Sequence, residues 1–355
     1  MKFYKKLALG LDKIPNGFPA TESGVELKIL EKLFSPEEAR VASHMDTTPK
    51  SSQSIADALA ENHDYTYKTL KTMVKKGLIE VKKGDGQLLF KLIPFMVGFY
   101  ERQNAQIDKE FAELFETYYH EAFHKVMTIK PSVHRIIPVQ KAIPVNVEVM
   151  PYEQASTYIE EANSWGVLPC ICRVQKRLLG EGCHHTEENC LVFSHRPALF
   201  DRVDTIKAIS KEEALDILSQ ADKEGLIHST NNVQQGVTYI CNCCSCSCGI
   251  LRAMAEYGTI NSIDRSDFYA TIDNTLCTGC QICLERCQFK ALKMDNDICQ
   301  INRSLCYGCG LCVTTCPTGA ITLKKKSGVE KEIPPQTESD WRHQREIARK
   351  SIKID

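Results

Sequence analysis

The sequence predicts an α+β multidomain chain, and three observations carry that expectation. Helical periodicity in the first ninety residues gives way to a Gly-turned hairpin. Nine cysteines crowd the stretch from 170 to 248, between segments of mixed helical and extended pattern. A cysteine motif is then written twice between 277 and 316. The expected layout is a helix-and-hairpin domain over 1–93, a long connecting helix over 94–130 and a mixed α/β Cys-rich domain over 131–266. A small domain over 267–324 holds the repeated motif, and 325–355 is a tail.

Composition sets the outer limits. The chain has 355 residues, is 43% hydrophobic and 25% charged, and has the profile of an ordinary soluble globular protein. A net charge of −1 gives no global field to recruit nucleic acid or an anionic membrane. The apolar runs fall short of a membrane span. Leu7 to Leu11 is too short for a signal-peptide core and is followed by Asp12. Eighteen cysteines in such a chain argue for metal binding in a reducing cytoplasm rather than for disulfides, and fit an anaerobic setting.

In the N-terminal third, Val25, Leu27, Ile29, Leu30 and Leu33 form one helical face. Ser35-Pro36-Glu37-Glu38 is a capping box with Pro at the first helical position. Residues 54–60 read as a short helix, and Asp64 is a candidate cap for a second that ends at Gly77. Leu78 to Lys82 and Gln87 to Leu92 pair across the turn Lys83-Gly84-Asp85-Gly86. This order resembles a winged helix-turn-helix. The resemblance implies a module for DNA, docking or dimerisation. Residues 51–92 hold seven Lys against five acidic residues, a local charge of only +2. Lys68, Lys71, Lys75 and Lys76 on the second helix therefore read first as a solvated face, which favours docking or dimerisation over DNA.

Phe95 to Met127 reads as one long helix. Its stripe of Ile107, Phe111, Leu114 and Tyr118, flanked by Phe115 and Phe123, is core or a homodimer interface. Prolines then punctuate the chain, with short strands expected at Ile136–Ile137 and Val145–Val149 and a helix from Tyr152 to Ala162.

The middle region carries Cys170, Cys172, Cys183 and Cys190, then Cys241, Cys243, Cys244, Cys246 and Cys248. Five thiols in eight residues exceed what packing explains; soft-metal ligation is the physical use of such a concentration. All nine are candidate metal ligands, sufficient for one or two further iron–sulfur clusters or for zinc. Zinc at Cys170/Cys172/Cys183/Cys190 is one alternative. His184, His185 and His228 are weaker candidates, since such residues are more often surface or hydrogen-bonded groups. Ser210-Lys-Glu-Glu213 caps a helix stopped by Gly225, which lets the two Cys-rich segments fold back toward each other.

The repeated motif reads Cys277-x2-Cys280-x2-Cys283-x3-Cys287, then Cys306-x2-Cys309-x2-Cys312-x3-Cys316-Pro317. Three thiolates at this spacing turn around one corner of an iron–sulfur cube, and the fourth is turned away to the other cube. Cys277, Cys280, Cys283 and Cys316 are thus assigned to one [4Fe-4S] cluster, and Cys306, Cys309, Cys312 and Cys287 to a second. The stretch resembles the bacterial-type ferredoxin domain with two [4Fe-4S] clusters. One departure is Gln288, where a proline usually follows the fourth Cys. Cys299, outside both quartets, reads as a small buried apolar side chain. Residues 291–301 form a hairpin, Ala320 to Leu323 a closing strand, and the tail is expected to include a helix against a partner.

These features together predict an iron–sulfur electron-transfer protein or oxidoreductase subunit that works with redox partner proteins. Single electrons would pass through two [4Fe-4S] clusters and further centres in the middle domain. The alternatives are a redox-sensing regulator and a reductase with a catalytic cluster in the middle domain. No G-x-G-x-x-G fingerprint follows a strand, and there is no P-loop.

Overall fold

The structure, a computed structural model, describes residues 1–351 apart from 85, 104, 105, 146 and 204. Asp85 of the expected turn, Asn146 and the last four residues of the tail lie outside the described residues. Helix and strand are mixed throughout, so the chain is α+β. It divides into two compact units. The first holds Met1–Val126, Val174–Gly182 and the piece that begins at Arg349; the second holds Met127–Arg173 and Cys183–Ala348. The Cys-rich and repeated-motif regions thus share one unit instead of forming two.

In the first unit, helices Lys2–Asp12, Val25–Leu33, Pro36–Ala42, Ser52–Leu59 and His63–Lys75 accompany a three-stranded sheet. Strands β1 (Lys50–Ser51), β2 (Ile79–Gly84) and β3 (Gln87–Leu92) lie in the order β1-β3-β2. The Ser35 capping box forms: Ser35 Oγ accepts from the Glu38 amide at 3.2 Å, and Glu38 accepts from the Ser35 amide at 2.8 Å. The second helix is capped by Asn62, not Asp64. Asn62 has extended backbone and accepts the Tyr65 amide at 3.0 Å, while Asp64 already lies in the first turn. Gly77, at φ +72°, ends the helix.

The single long helix expected over 94–130 is broken. Met96, Val97 and Gly98 leave helical geometry, and Asp108 restarts the helix by accepting the Phe111 amide at 2.8 Å. The new helix runs through Lys109–Tyr118 and continues to Val126. Capping chemistry outranked hydrophobic periodicity here. Its aromatic stripe is spent inside the unit: Phe111, Phe115, Tyr118 and Phe123 are buried, and the Phe115 ring stacks on Tyr100 at 4.3 Å. These four aromatic residues of the stripe are core.

The second unit is organised by a seven-stranded sheet in the order β10-β4-β8-β9-β6-β5-β7. Its strands are β4 (His134–Ile136), β5 (Ser164–Pro169), β6 (Glu188–Ser194), β7 (Lys207–Ile209), β8 (Ile227–Asn231), β9 (Tyr239–Cys243) and β10 (Ile263–Asp264). All neighbours pair antiparallel except β10 with β4. Helix Lys211–Glu224 packs on β5, β6 and β8, and its Ser210–Glu213 capping box and Gly225 stop at φ +77° are both formed. The strand expected at 145–149 is absent among the described residues there: prolines flank the segment, and Val145 is fully exposed with no partner strand.

The same unit carries two two-stranded ladders. Strand β11 (Phe268–Ile272) pairs with β14 (Ile321–Lys325), and β12 (Leu292–Asp295) pairs with β13 (Ile298–Ile301). The tail forms helix Glu338–Ser351. Trp341 and Arg345 are buried, and their side chains donate to backbone carbonyls at Ser132 and at Ile129 and Pro131. Among the described residues no helix is long and apolar enough to cross a membrane.

Candidate iron–sulfur and metal centres

The two copies of the repeated motif follow the same backbone path. Gly279 and Gly308 take φ of +69° and +70°, and Gln281 and Gly310 take φ of +66° and +83°. Each copy then enters a short helix, Ile282–Arg286 or Leu311–Thr314, that carries the third thiol and turns the fourth away. Glycine is required at 308, where a Cβ would collide with the Phe268 carbonyl oxygen and Ser266 Oγ.

Cys277, Cys280, Cys283 and Cys316 line one pocket, with Ile272 and Met294 also on its wall. Burial raises the Cys316 thiol pKa. Hydrogen bonds from Thr318 and from the Ile321 and Ala320 amides outweigh it and leave the pKa below its ordinary value. Cys287, Cys306, Cys309 and Cys312 stand as mutual electrostatic neighbours. This group is deeper: burial pushes the Cys309 thiol up to about 12 and raises Cys287 and Cys312. Amides of Ala291 and Ala270 point at Cys287 and Cys306 sulfur at 3.3 and 3.4 Å. Such N–H···S contacts stabilise thiolate and tune a cluster's potential. Cys299 is buried as expected, but its Sγ lies 3.6 Å from that of Cys283 on the wall of the first cavity.

The nine middle cysteines separate into two groups. Cys170 and Cys172 flank the start of helix Ile171–Leu178, and Cys190 lies on β6. Cys241 and Cys243 are two apart on β9, hence on one face, and Cys248 caps helix Gly249–Tyr257. Side-chain contacts run around a closed ring: Cys170 to Cys172, Cys248, Cys243, Cys241, Cys190 and back to Cys170. The folded sheet thus joins the upstream and downstream Cys segments. Cys183, by contrast, stands with Cys244, Cys246 and His185, all four ligand atoms lying within 4.8 Å of one another. Cys183 therefore parts from Cys170, Cys172 and Cys190, with which the sequence alone could group it. His184 is exposed. His228 is buried and hydrogen-bonded to Asn242 Oδ1 at 2.6 Å.

Arg173, which is buried, holds the two groups in place. Its guanidinium donates to the Thr186 carbonyl at 2.9 Å, Asn189 Oδ1 at 2.8 Å and the Asn242 carbonyl at 2.9 Å. Burial disfavours its charge, and the neighbouring Cys170, Cys244 and Cys243 sulfurs, as thiolates, more than restore it. Gln288 ties the same region to the second thiol quartet. Its Oε1 accepts from the Ser245 amide and hydroxyl at 3.0 and 2.6 Å, and its Nε2 donates to the Gly225 carbonyl at 2.9 Å. Ser245 sits between Cys244 and Cys246, and Gln288 directly follows Cys287.

Residues 299–322 match the family model of the 4Fe-4S binding domain. The chain therefore carries a ferredoxin-type iron–sulfur domain, with at least one 4Fe-4S cluster. No curated protein matches the chain at a significant level. The donor sets fit such groups: four thiols around a cavity suit a cubane, and grouped Cys and His suit a soft metal ion. His185 and Gln288 are the functional candidates that spacing undervalued. The one signal for Gln288 was its place in a position usually held by proline.

Proposed function

We propose that the chain is an iron–sulfur electron-transfer protein or oxidoreductase component that relays single electrons through two [4Fe-4S] clusters. The observation that carries this reading is the doubled loop, with matched φ signs at 279/308 and 281/310 and two complete thiol quartets. The ligand sets are Cys277, Cys280, Cys283 and Cys316, and Cys287, Cys306, Cys309 and Cys312. When bound, the clusters supply one-electron chemistry; the chain supplies thiolates, amide donors to sulfur and burial. The first site is the exchange port for a redox partner protein, because Cys280, Leu276 and Ile282 around it are exposed. The second is the interior site, and the six-thiol ring holds a further iron–sulfur centre that feeds it.

The N-terminal unit, in this reading, is a winged-helix docking module. Lys68, Lys71 and Lys75 are exposed, but Lys76 is paired with Glu38 at 2.7 Å. That leaves a thin basic face for DNA, and a regulator reading would need DNA affinity that falls steeply with salt.

The test is iron and acid-labile sulfide per chain on protein purified without oxygen, with low-temperature EPR of the dithionite-reduced form. More than about eight irons with matching sulfide, the content of two cubanes, and the spectrum of interacting reduced clusters are expected. Fewer than about eight irons, or EPR lines of a single isolated cluster, would sink the two-cluster relay.

A further inference from the structure

We infer that Cys183, His185, Cys244 and Cys246 form a closed site for one zinc ion, separate from every iron–sulfur ligand set. The four ligand atoms all lie within 4.8 Å of one another. Cys183 Sγ and Cys244 Sγ are 3.9 Å apart, and Cys246 Sγ and His185 Nδ1 are 3.8 Å apart. A tetrahedron with Zn–S of ~2.3 Å and Zn–N of ~2.05 Å has edges of ~3.8 Å between sulfurs and ~3.6 Å between sulfur and nitrogen. The site thus has the dimensions of a single ion. A cubane places each ligand on a different iron, at separate corners, and does not suit four donors in mutual contact. Three thiols and one imidazole are the donor set of a structural zinc site.

The surroundings are built to hold these donors. Cys244 packs with Ala221 and Leu226, and Cys183 lies against that small cluster. Thr186, next to His185, anchors its loop to the helix: its amide and hydroxyl donate to Glu224 at 2.9 and 2.6 Å. Ser247 Oγ stands 3.5 Å from Cys183 Sγ, and Ser245 is held by Gln288. Outer contacts of this kind fix the orientation of ligands around a metal. Zinc has no redox chemistry. Its work here is mechanical: it locks the segment that carries Cys243 and Cys248 of the thiol ring to the segment that leads from Cys172 to Cys190.

The inference does not rest on the electron-transfer reading, because zinc and iron are counted separately. The experiment is elemental analysis of the full chain, purified without oxygen, as wild type and as His185→Ala, His185→Cys and Cys246→Ser. About one zinc per chain is expected in the wild type, the stoichiometry of a single closed site. His185→Ala and Cys246→Ser should lose it. His185→Cys, which restores a fourth soft ligand, should retain it. Iron and sulfide should stay at the wild-type level in His185→Cys, which separates loss of the site from loss of the fold. A second readout is cobalt(II) reconstitution: tetrahedral thiolate absorption should appear in the wild type and shift in His185→Cys. The inference is overturned if the wild type carries no zinc when grown with it. It is equally overturned if His185→Ala keeps its zinc, or if the cobalt spectrum is indifferent to residue 185.

Discussion

The repeated-motif region and the middle Cys region both gather thiols, but they reach them by opposite routes. In the repeated motif, each loop supplies three thiols within seven residues, and positive-φ positions at 279, 281, 308 and 310 shape the turn. The middle region draws Cys170 and Cys248 together across more than seventy residues, and it needs β6 and β9 paired before Cys190 and Cys241 meet. Local loops carry their chemistry in the order of the letters. A sheet-assembled site carries it in the pairing of strands, and it pays the loop-closure entropy first. The first kind of site should therefore tolerate damage elsewhere, whereas the second should fail as a whole.

Single ligand losses test that contrast, and the largest effect belongs to the middle. Cys309→Ser should remove about four irons, one cubane's worth, and leave the remaining iron in place. Cys190→Ser should abolish the iron of the ring while the ferredoxin-type part keeps about eight. Its stability should also fall, because the ring joins β6, β9 and the starts of two helices. Iron per chain and the denaturation midpoint of each variant measure both. Equal, local losses in the two variants would erase the distinction.

The same contrast explains what the letters revealed. Capping boxes at Ser35 and Ser210, the hairpin of Ile79–Gly84 with Gln87–Leu92 and both cysteine repeats were readable because each is decided within a few residues. The seven-stranded sheet was not, because its strands are short and, apart from the β8–β9 hairpin, pair across longer stretches of chain. The division of nine thiols into a ring of six and a group of three with His185 follows from that sheet, so spacing could gather the candidates but not sort them. Phe95 to Met127 failed for a different reason. Periodicity was right about Phe111, Phe115, Tyr118 and Phe123, which are buried, while Ile107 and Leu114 are only half-buried, and Gly98 and Asp108 decided where the backbone is helical.

Arg173 offers a sharper cut at an intermediate scale. It donates to three backbone or side-chain oxygens around the thiol groups and is buried with them. Arg173→Met keeps the volume but leaves those oxygens and the thiolates without their cation. Removing one partner of a buried charge typically costs about 3–5 kcal/mol. Arg286 also donates to backbone carbonyls, at Lys223 and Asp222, but it is only half-buried. Arg286→Met, which loses two hydrogen bonds, should cost about 2 kcal/mol at the ordinary worth of about 1 kcal/mol each. Urea titrations of the two variants at matched metal content give the difference. If Arg173→Met is no worse than Arg286→Met, the buried cation is not what holds the middle thiols.

A further, more local effect is expected where the two regions meet, at Gln288. The second copy of the motif keeps Pro317 after its fourth Cys, whereas the first copy has Gln288, whose side chain joins Ser245 to Gly225. Cys287 has φ −83° and ψ 96°, an extended conformation that the residue before proline accepts. Gln288→Pro therefore removes the side-chain link. The loss of three hydrogen bonds at about 1 kcal/mol each predicts destabilisation of ~3 kcal/mol. Iron content should not change, because Cys287 keeps its amide contacts, including that from Ala291 at 3.3 Å. Zinc should leave faster when a chelator is added, because Ser245 stands between two of its proposed ligands. Gln288→Glu keeps an acceptor for Ser245 and loses the donor to Gly225, so it should fall between the two. A proline variant with unchanged midpoint and unchanged zinc release would make Gln288 a neutral departure, and the two regions would then be neighbours without a mechanical link through this residue.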